Sequence, residues 1–425
     1  MALLMKKVPL FVWMLLALVL GAAAGTGLKE MGEDVSRPAL SALDVIGALF
    51  LRALKMVVVP LVASSLVAGM ARLGQRGGLG RVSLKTFGYY LSTTTFAVLT
   101  GLILVNLIQP GHGAPLKLAE DATKVAVPER LSDQLINIIP ENILAAMGRG
   151  DMMLAVIFFS LIFGLTLNFV SETARDKLLP VVEAVFEVMM KITGVIIWLA
   201  PIGIFALVAN LVAGLGFEAL RHLIPYALTV AAGLAIHFFV TLPSLAFLLA
   251  RVNPFRLMRA MSEALLTAFS TASSAATLPL TMQRAEKSAG VSNRIASFVL
   301  PMGATVNMDG TALYEGVAVM FIAQVAGVEM TVAQQFTIFV GAVLVSIGAA
   351  AIPHAGLVMM TIILGMVGLP LEYTALIWPI DRILDMCRTM TNVWSDAVGS
   401  VVVASSEGEF DRTKLAVEFQ VAEGR

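Results

Sequence analysis

Between Trp378 and Val403 the sequence runs as an apolar helix that carries a stripe of polar groups: Asp381, Asp385, Arg388, Asn392 and Asp396. Steps of four, three, four and four residues, at 100° per residue, place all five within a sector of roughly 80° on one helix face. Ile383, Leu384, Met386, Val393, Trp394 and Val398 cover the rest of the circumference, as in a segment that sits in lipid or in an apolar core. A charge at mid-bilayer depth costs about 2.5 to 3.5 kcal/mol, while each Leu, Ile or Val returns only about 0.3 to 0.6 kcal/mol. A stripe turned to lipid would therefore not insert, so it must face protein, ions or a ligand. One buried ion pair can be purely structural, but five polar groups in register inside a membrane point to function.

Composition decides which solvent applies. Of 425 residues, 58% are hydrophobic and 14% charged, with a mean hydropathy of +0.88, which is that of a polytopic membrane protein whose main partner is the lipid bilayer. The net charge is zero, so nothing favours nucleic acid. One cysteine, Cys387, excludes an intrachain disulfide, and four scattered histidines give no metal-ligand spacing. No redox or zinc cofactor is expected, and the chain is not read as an enzyme. Met1 to Gly25 has the layout of a signal peptide, but with so many later spans it reads more simply as a first transmembrane helix behind the cytoplasmic Lys6 and Lys7.

Apolar runs of about 20 residues mark spans at Pro9–Leu28, Leu43–Leu73, Phe87–Ile108, Met152–Val170, Leu178–Val212 and Ile224–Ala250. The polar stretch from Gln109 to Arg149 does not span, although Leu135 to Met147 has room for short interfacial helices. Arg72, Arg76, Arg81 and Lys85, then Arg175 and Lys177, then Arg251, Arg256 and Arg259 follow the even-numbered spans. Basic residues mark the cytoplasmic side, so the N-terminus is expected there too. Ala264 to Leu280 is flanked by Arg259 on one side and by Arg284, Lys287 and Arg294 on the other, and it is interrupted by Ser270 to Ser274 and by Pro279. Entry and exit on one side read as a re-entrant hairpin. A second interrupted run, Phe336 to Val367, breaks at Gly348 to Gly356, and the tail from Ser405 to Arg425 is a polar cytoplasmic end. Two interrupted segments in corresponding positions are the sequence mark of inverted repeats around a midplane site.

Between the hairpins lies Gly303-Ala304-Thr305-Val306-Asn307-Met308-Asp309-Gly310-Thr311-Ala312-Leu313-Tyr314-Glu315. This stretch invites local unwinding that would free backbone carbonyls, tolerated at membrane depth only beside a cavity or inside protein. Hard cations take oxygen ligands, and Thr305, Asn307, Asp309 and Thr311 offer them alongside Asn392 and Asp396. Na⁺ suits this better than Ca²⁺, because three carboxylates on two helices are not a dense acidic loop. Glu315 lies one turn beyond Thr311, and no other acid follows it for many residues. Burial disfavours the charged form of a carboxyl, so Glu315 is either a proton carrier or a permanently protonated hydrogen-bond donor.

Four motifs together, Asn-Met-Asp-Gly-Thr (307–311), Ser-Ser-x-x-Thr-Leu-Pro (273–279), Gly-Ala-Ala-x-Ile-Pro-x-Ala-Gly (348–356) and Asp-x-x-Arg-Thr-x-x-Asn-x-x-x-Asp (385–396), resemble the dicarboxylate/amino acid:cation symporter family of excitatory amino-acid and archaeal sodium/aspartate transporters. The resemblance covers essentially the whole chain. It implies an all-α membrane protein of eight transmembrane helices and two re-entrant hairpins with inverted repeats and broken helices, a homotrimer, and an elevator movement. Scaffold helices 1 and 2 would occupy residues 1–86 and transport-domain helix 3 residues 87–108. An extracellular loop and scaffold helices 4 and 5 would fill 109–221, the rest of the transport domain 222–404, and a cytoplasmic tail 405–425. By the same resemblance Arg388 would pair with the substrate's side-chain carboxylate and Asp385 with its amino group. Ser273, Ser274, Thr311, Ile352, Gly356, Thr389 and Asn392 would complete the pocket. Na⁺ sites would draw on Gly303, Asn307, Asn392 and Asp396; on Tyr90, Thr93, Thr94 and Asp309; and on Thr305, Met308, Ser346, Ile347 and Ala349. Without the resemblance, Tyr90, Thr93 and Thr94 read as ordinary packing residues.

The chain departs from the family pattern in places. Ala272 and Met386 stand where relatives place an arginine, either in the first hairpin tip or beside the motif aspartate, and Arg382 lies close to the stripe but rotated off it. His354 stands where glycine or glutamine is usual, and Ala349 where some relatives carry a hydroxyl. Sodium-only archaeal relatives have glutamine at the position of Glu315, whereas proton-coupled ones have glutamate, so the resemblance favours the proton-carrier reading. The expected function is Na⁺-driven and H⁺-driven uptake of glutamate or aspartate across the cell (inner) membrane. A C4-dicarboxylate carrier would lack Asp385, a neutral amino-acid carrier would lack Arg388, and a channel would need a continuous pore; a non-transporting receptor is the remaining alternative class.

Overall fold

Apolar runs without a water partner for their backbone must satisfy every N–H and C=O within the segment, and the chain does so as helices. The computed structural model describes residues 10–31, 33–73, 80–113, 136, 138–149, 152–215, 223–347 and 355–415; among them no β-strand occurs, only an isolated bridge between Val291 and Phe410. The first helices are α1 (Leu10–Glu30), α2 (Glu33–Leu73) and α3 (Gly80–Ile108), followed by the single-turn α4 (Ile143–Met147), capped by Asn142 Oδ1. Next come α5 (Met153–Thr166), α6 (Glu172–Trp198) and α7 (Ala200–Leu215). Helix α8 runs Leu223–Ala250 through a π-helical turn at His237–Thr241.

Several spans differ from their sequence reading. The run Leu178–Val212 is two helices, α6 and α7, meeting at a bend of 51°. The run Met152–Val170 holds only the 14 residues of α5, about 21 Å of helix against a hydrocarbon core of about 30 Å. Helix α2 begins ten residues before Leu43 and contains both Pro38 and Pro60. Among the described residues four single helices are long and apolar enough to cross a membrane, five if the α6–α7 pair counts as one span.

The second half contains α9 (Pro254–Ala260) and then the first hairpin, α10 (Ser262–Thr271) and α11 (Ser274–Arg284). Its tip is built by Ala272 in the left-handed region (φ 49°) and by an extended Ser273, whose Oγ accepts the N–H of Ala276. Small residues make this tight reversal possible, since a bulky side chain at positive φ would clash with its own backbone. α12 (Asn293–Val306) and α13 (Asp309–Val325) are one interrupted span. α14 (Val332–Ile347) and α15 (Ala355–Met366) form the arms of the second interrupted run. The tip between them, with Ala349, Ile352 and His354, lies outside the described residues. The last helix, α16 (Thr374–Glu407), is unbroken over 34 residues.

Packing divides the helices into two sets. α1 lies along α7, and α2 runs against α5, α6 and α7. In the other set α3 packs on α13 and α8, and α16 packs on α8, α10, α12 and α13. Helix α13 is buried from Asp309 to Ala323 without interruption, so its Asp309, Thr311 and Glu315 lie in the interior with its apolar residues. The stripe of α16 faces this interior: Asp381, Asp385, Arg388, Asn392 and Asp396 are all at most 5% exposed, whereas Ile383 on the outer face is 58% exposed.

Beyond α16 the chain turns back over one end of this second set. Ser292 N–H bonds Glu409 O, Asp411 N–H bonds Gly290 O, and Arg412 caps the end of α8 through the carbonyls of Ala250 and Arg251. The Thr413 hydroxyl and N–H hold the Asp411 carboxyl below its ordinary range.

Candidate functional site

Two polar clusters lie along α16, each completed by the interrupted span α12–α13. The interruption is only two residues long. Asn307 (φ −108°, ψ 92°) and Met308 (φ −122°, ψ 60°) leave the helical region, while Gly303, Ala304 and Thr305 stay helical. The two glycines of the motif serve close approach instead of unwinding. A Cβ on Gly310 would lie 2.7 Å from the Arg388 carbonyl, and one on Gly303 would lie 2.3 Å from Asp396 Oδ1 and 2.6 Å from the Tyr90 hydroxyl. Any side chain at either position would push α16 away.

The first cluster surrounds Arg388. Its Nη2 donates to Asp385 Oδ1 at 2.7 Å, its Nη1 is 3.1 Å from Asp381 Oδ1, and its guanidinium carbon lies 3.8 Å above the Tyr314 ring. Gly356 leaves open the space beside Arg388, where a Cβ would be 3.0 Å from Nη1 and 3.3 Å from Thr311 Cγ2. Asn392 binds the start of α13 with both ends of its amide: Oδ1 accepts the Gly310 N–H at 2.8 Å, and Nδ2 donates to Thr311 Oγ1 at 3.3 Å. Although Arg388 is buried, its Nε and Nη1 make no hydrogen bond among the described residues. A buried guanidinium ordinarily spends its donors, so an Nε without a partner, beside an Nη1 that has only the ion pair with Asp381, marks a place for a further acceptor. Arg382 reaches back toward the same group, with Nη1 3.7 Å from Asp385 Oδ2.

The second cluster centres on Asp309. Its Oδ1 accepts from Thr94 Oγ1 at 2.7 Å and has Thr93 Oγ1 at 3.3 Å; its Oδ2 accepts from Ser395 Oγ at 2.7 Å and lies 3.0 Å from His237 Nε2. Asn307 is oriented by its amide nitrogen, which donates to Asp396 Oδ1 at 2.9 Å and to Ser395 Oγ at 3.0 Å. Its oxygen therefore turns to Thr93. The Thr93 hydroxyl sits 3.1 Å from Tyr90 O, 3.4 Å from Asn307 Oδ1 and 3.3 Å from Asp309 Oδ1. One proton cannot serve three acceptors. The cluster is rich in oxygen, poor in donors and carries two carboxylates, which is the donor set a hard monovalent cation prefers.

Other candidates stand apart. Thr305 Oγ1 is spent on the carbonyls of Pro301 and Met302, and Ser346 Oγ on that of Val343. Ser274, Met308, Ile347 and Thr389 are buried, while Ser273 is occupied as the cap of α11. Glu315 is fully buried, and neither carboxyl oxygen has a hydrogen-bond partner among the described residues. Residues of the clusters not singled out for a role in the sequence include Asp381, Tyr314, Ser395 and His237. Asp381 was already in the stripe. His237 had a signal of its own, because an ionisable residue in the middle of the Ile224–Ala250 span is unusual at that depth.

Comparison with known proteins was consistent from end to end. The model of the sodium:dicarboxylate symporter family matches residues 10–406. The chain is 37% identical to a proton/glutamate-aspartate symporter of Escherichia coli (strain K12), covering 96% of each chain. It is 35% identical to a proton/sodium-glutamate symport protein of Bacillus caldotenax (96% of this chain, 97% of the relative). It is also 36% identical to excitatory amino acid transporter 3 of Mus musculus, with 96% of this chain and 88% of the relative aligned.

Proposed function

Because the chain belongs to the sodium:dicarboxylate symporter family, we propose that it is a secondary active symporter that takes up acidic amino acids with Na⁺ and H⁺. The observation that carries this reading is Arg388: a buried guanidinium beside the space kept open by Gly356, its Nε without a partner and its Nη1 held only by the 3.1 Å ion pair with Asp381. A buried guanidinium with donors to spare is the complement of a carboxylate. Asp381 and Asp385 balance the charge of Arg388. An arriving side-chain carboxylate takes over part of that role, and Asp385, released from Nη2, becomes available to the substrate's ammonium group. Ser274, Thr311, Thr389 and Asn392 then supply neutral polar contacts.

Coupling follows from the second cluster. Na⁺ is cargo that neutralises Asp309 and Asp396, with Tyr90, Thr93, Thr94, Asn307 and the Gly303 region around it. Asn392, one turn from Arg388 on α16, holds the backbone beside Asp309 through its bonds to Gly310 (2.8 Å) and Thr311 (3.3 Å), so an ion that orders Asn307 and Asp309 also orders the substrate pocket. Glu315, one residue beyond the Tyr314 that stacks on Arg388, carries the proton. The helices around α16 move as a transport domain against α1, α2, α5, α6 and α7 within a homotrimer in the cell (inner) membrane, both termini cytoplasmic. Uptake of aspartate, glutamate, succinate and serine into proteoliposomes, with Na⁺ and H⁺ gradients imposed separately, tests the reading. Saturable uptake of aspartate or glutamate that needs one or both gradients is expected. Uptake of succinate alone, or none with either gradient, would sink it.

A further inference from the structure

Every acceptor position of the Asp309 carboxylate is taken by a donor that belongs to a different element. Thr93 and Thr94 on α3 serve Oδ1, Ser395 on α16 and His237 on α8 serve Oδ2. The two sides do not survive an arriving cation equally. A cation bound at Oδ1 needs the lone pairs of Thr93 and Thr94, so their protons must turn away and Oδ1 loses its donors. Only the bonds to Oδ2 then hold the carboxylate in place. Of these, Ser395 also accepts from Asn307 Nδ2, which leaves the imidazole as the one Oδ2 donor not shared with another ligand residue.

The placement of His237 is unusual in its own right. It opens the π-helical turn His237–Thr241, which widens α8 by one residue, and Trp394 Nε1 of α16 donates to the Phe238 carbonyl at 3.1 Å within that turn. Single π-helical turns inside α-helices recur at functional sites because they re-aim a side chain. His237 is fully buried, and its Nδ1 has no partner. Since an ionised carboxylate only accepts, the 3.0 Å contact places a ring proton on Nε2. A buried polar atom without a partner costs free energy, and the geometry accepts that cost at Nδ1 to keep Nε2 on Asp309.

We propose that His237 is a positioning residue for the coupling cation, holding Asp309 through Oδ2 so that Oδ1 stays turned to Thr93, Thr94 and Asn307 when the ion is bound. The proposal rests on the reading of Asp309 as a cation ligand. Loss of a partner in the outer shell of a metal-binding carboxylate typically lowers affinity about 10- to 100-fold.

The test is aspartate uptake into proteoliposomes as a function of external NaCl, for the wild type, His237→Leu, His237→Asn, His237→Gln, Ser395→Ala and Asp309→Asn. Leu cannot donate and Asn is too short to reach Asp309, so both should raise the half-saturating Na⁺ concentration by about tenfold or more. At saturating Na⁺ the KM for aspartate should stay near that of the wild type, which a general loss of structure would not allow. Gln, whose amide N–H reaches as far as Nε2, should restore most of the Na⁺ affinity, and Ser395→Ala should shift it in the same direction as Leu. If Asp309→Asn weakens Na⁺ dependence while His237→Leu and His237→Asn match the wild type, the role of His237 is overturned and Asp309 stands. If Asp309→Asn leaves Na⁺ dependence unchanged, both ideas fall together.

Discussion

The cluster at Arg388 and the cluster at Asp309 are built from the same two helices, yet their charges are arranged in opposite ways. Arg388 is balanced inside the protein: Asp381 and Asp385 lie within 3.1 Å of its nitrogens, and Arg382 stands behind Asp385. Asp309 and Asp396 have no Lys or Arg beside them among the described residues, only hydroxyls, amides and one imidazole. A balanced buried pair can exchange one partner for another without leaving a bare charge, whereas an unbalanced pair of carboxylates is stable at full charge only with a cation from outside. The first arrangement therefore suits an exchangeable zwitterionic substrate and the second a co-transported ion. One helix can hold both because Arg388 and Asp396 stand about two turns apart along α16.

The sharpest way to break this contrast is to remove the cation of the balanced cluster. Arg388→Cys leaves Asp381 and Asp385 facing a substrate carboxylate with nothing to compensate them, and uncompensated buried charge costs about 3 to 5 kcal/mol. Aspartate and glutamate uptake in proteoliposomes should fall by two orders of magnitude or more, while serine gains relative to them. A mutant that still prefers aspartate over serine would remove Arg388 from substrate recognition.

The unbalanced cluster should respond differently. Asp396→Ala removes the acceptor of Asn307 Nδ2 and one of the two negative charges, so the apparent affinity for aspartate should lose much of its dependence on Na⁺ concentration. The expected change is on the order of tenfold in half-saturating Na⁺. Substrate affinity measured across a NaCl series decides the matter, and an unchanged dependence would mean that Na⁺ binds elsewhere or is not the driving ion.

Glu315 belongs to neither cluster. With both oxygens unpartnered and the side chain buried, it gains from being neutral, and Glu315→Gln preserves that neutral form. Substrate binding should therefore stay within about twofold, while acidification of the lumen during uptake, followed with an entrapped pH dye, should disappear. Acidification that persists in the variant would take Glu315 out of the proton pathway.

The smallest effect is expected at Arg382. Its contact with Asp385 is long, at 3.7 Å, and the Arg382 side chain is 20% exposed, so solvent weakens it, and a pair of this kind is worth about 0.2 to 1 kcal/mol. Arg382→Gln should change the affinity for aspartate only about two- to fivefold, with Arg382→Lys closer to the wild type. A loss as large as that of Arg388→Cys would show that Arg382, and not Arg388 alone, meets the substrate carboxylate.

What the sequence determined by itself was the solvent, the helical class, the inward direction of the α16 stripe and the residues Asn307, Asp309, Arg388, Asn392 and Asp396. Burying a charge in lipid is so costly that the 80° sector admitted only one orientation, and four motifs in order carried the family. The bend between α6 and α7 was not legible, because an apolar run gives no sign of where it turns. Nor was the shortness of the break, since Gly303 and Gly310 look the same in sequence whether they free the backbone or let a neighbouring helix approach. Tertiary structure alone decided which partner each charge has. His237 is 72 residues from Asp309, and Asn392 is 82 from Gly310, and no periodicity within one helix can specify a hydrogen bond that exists only after several helices have packed.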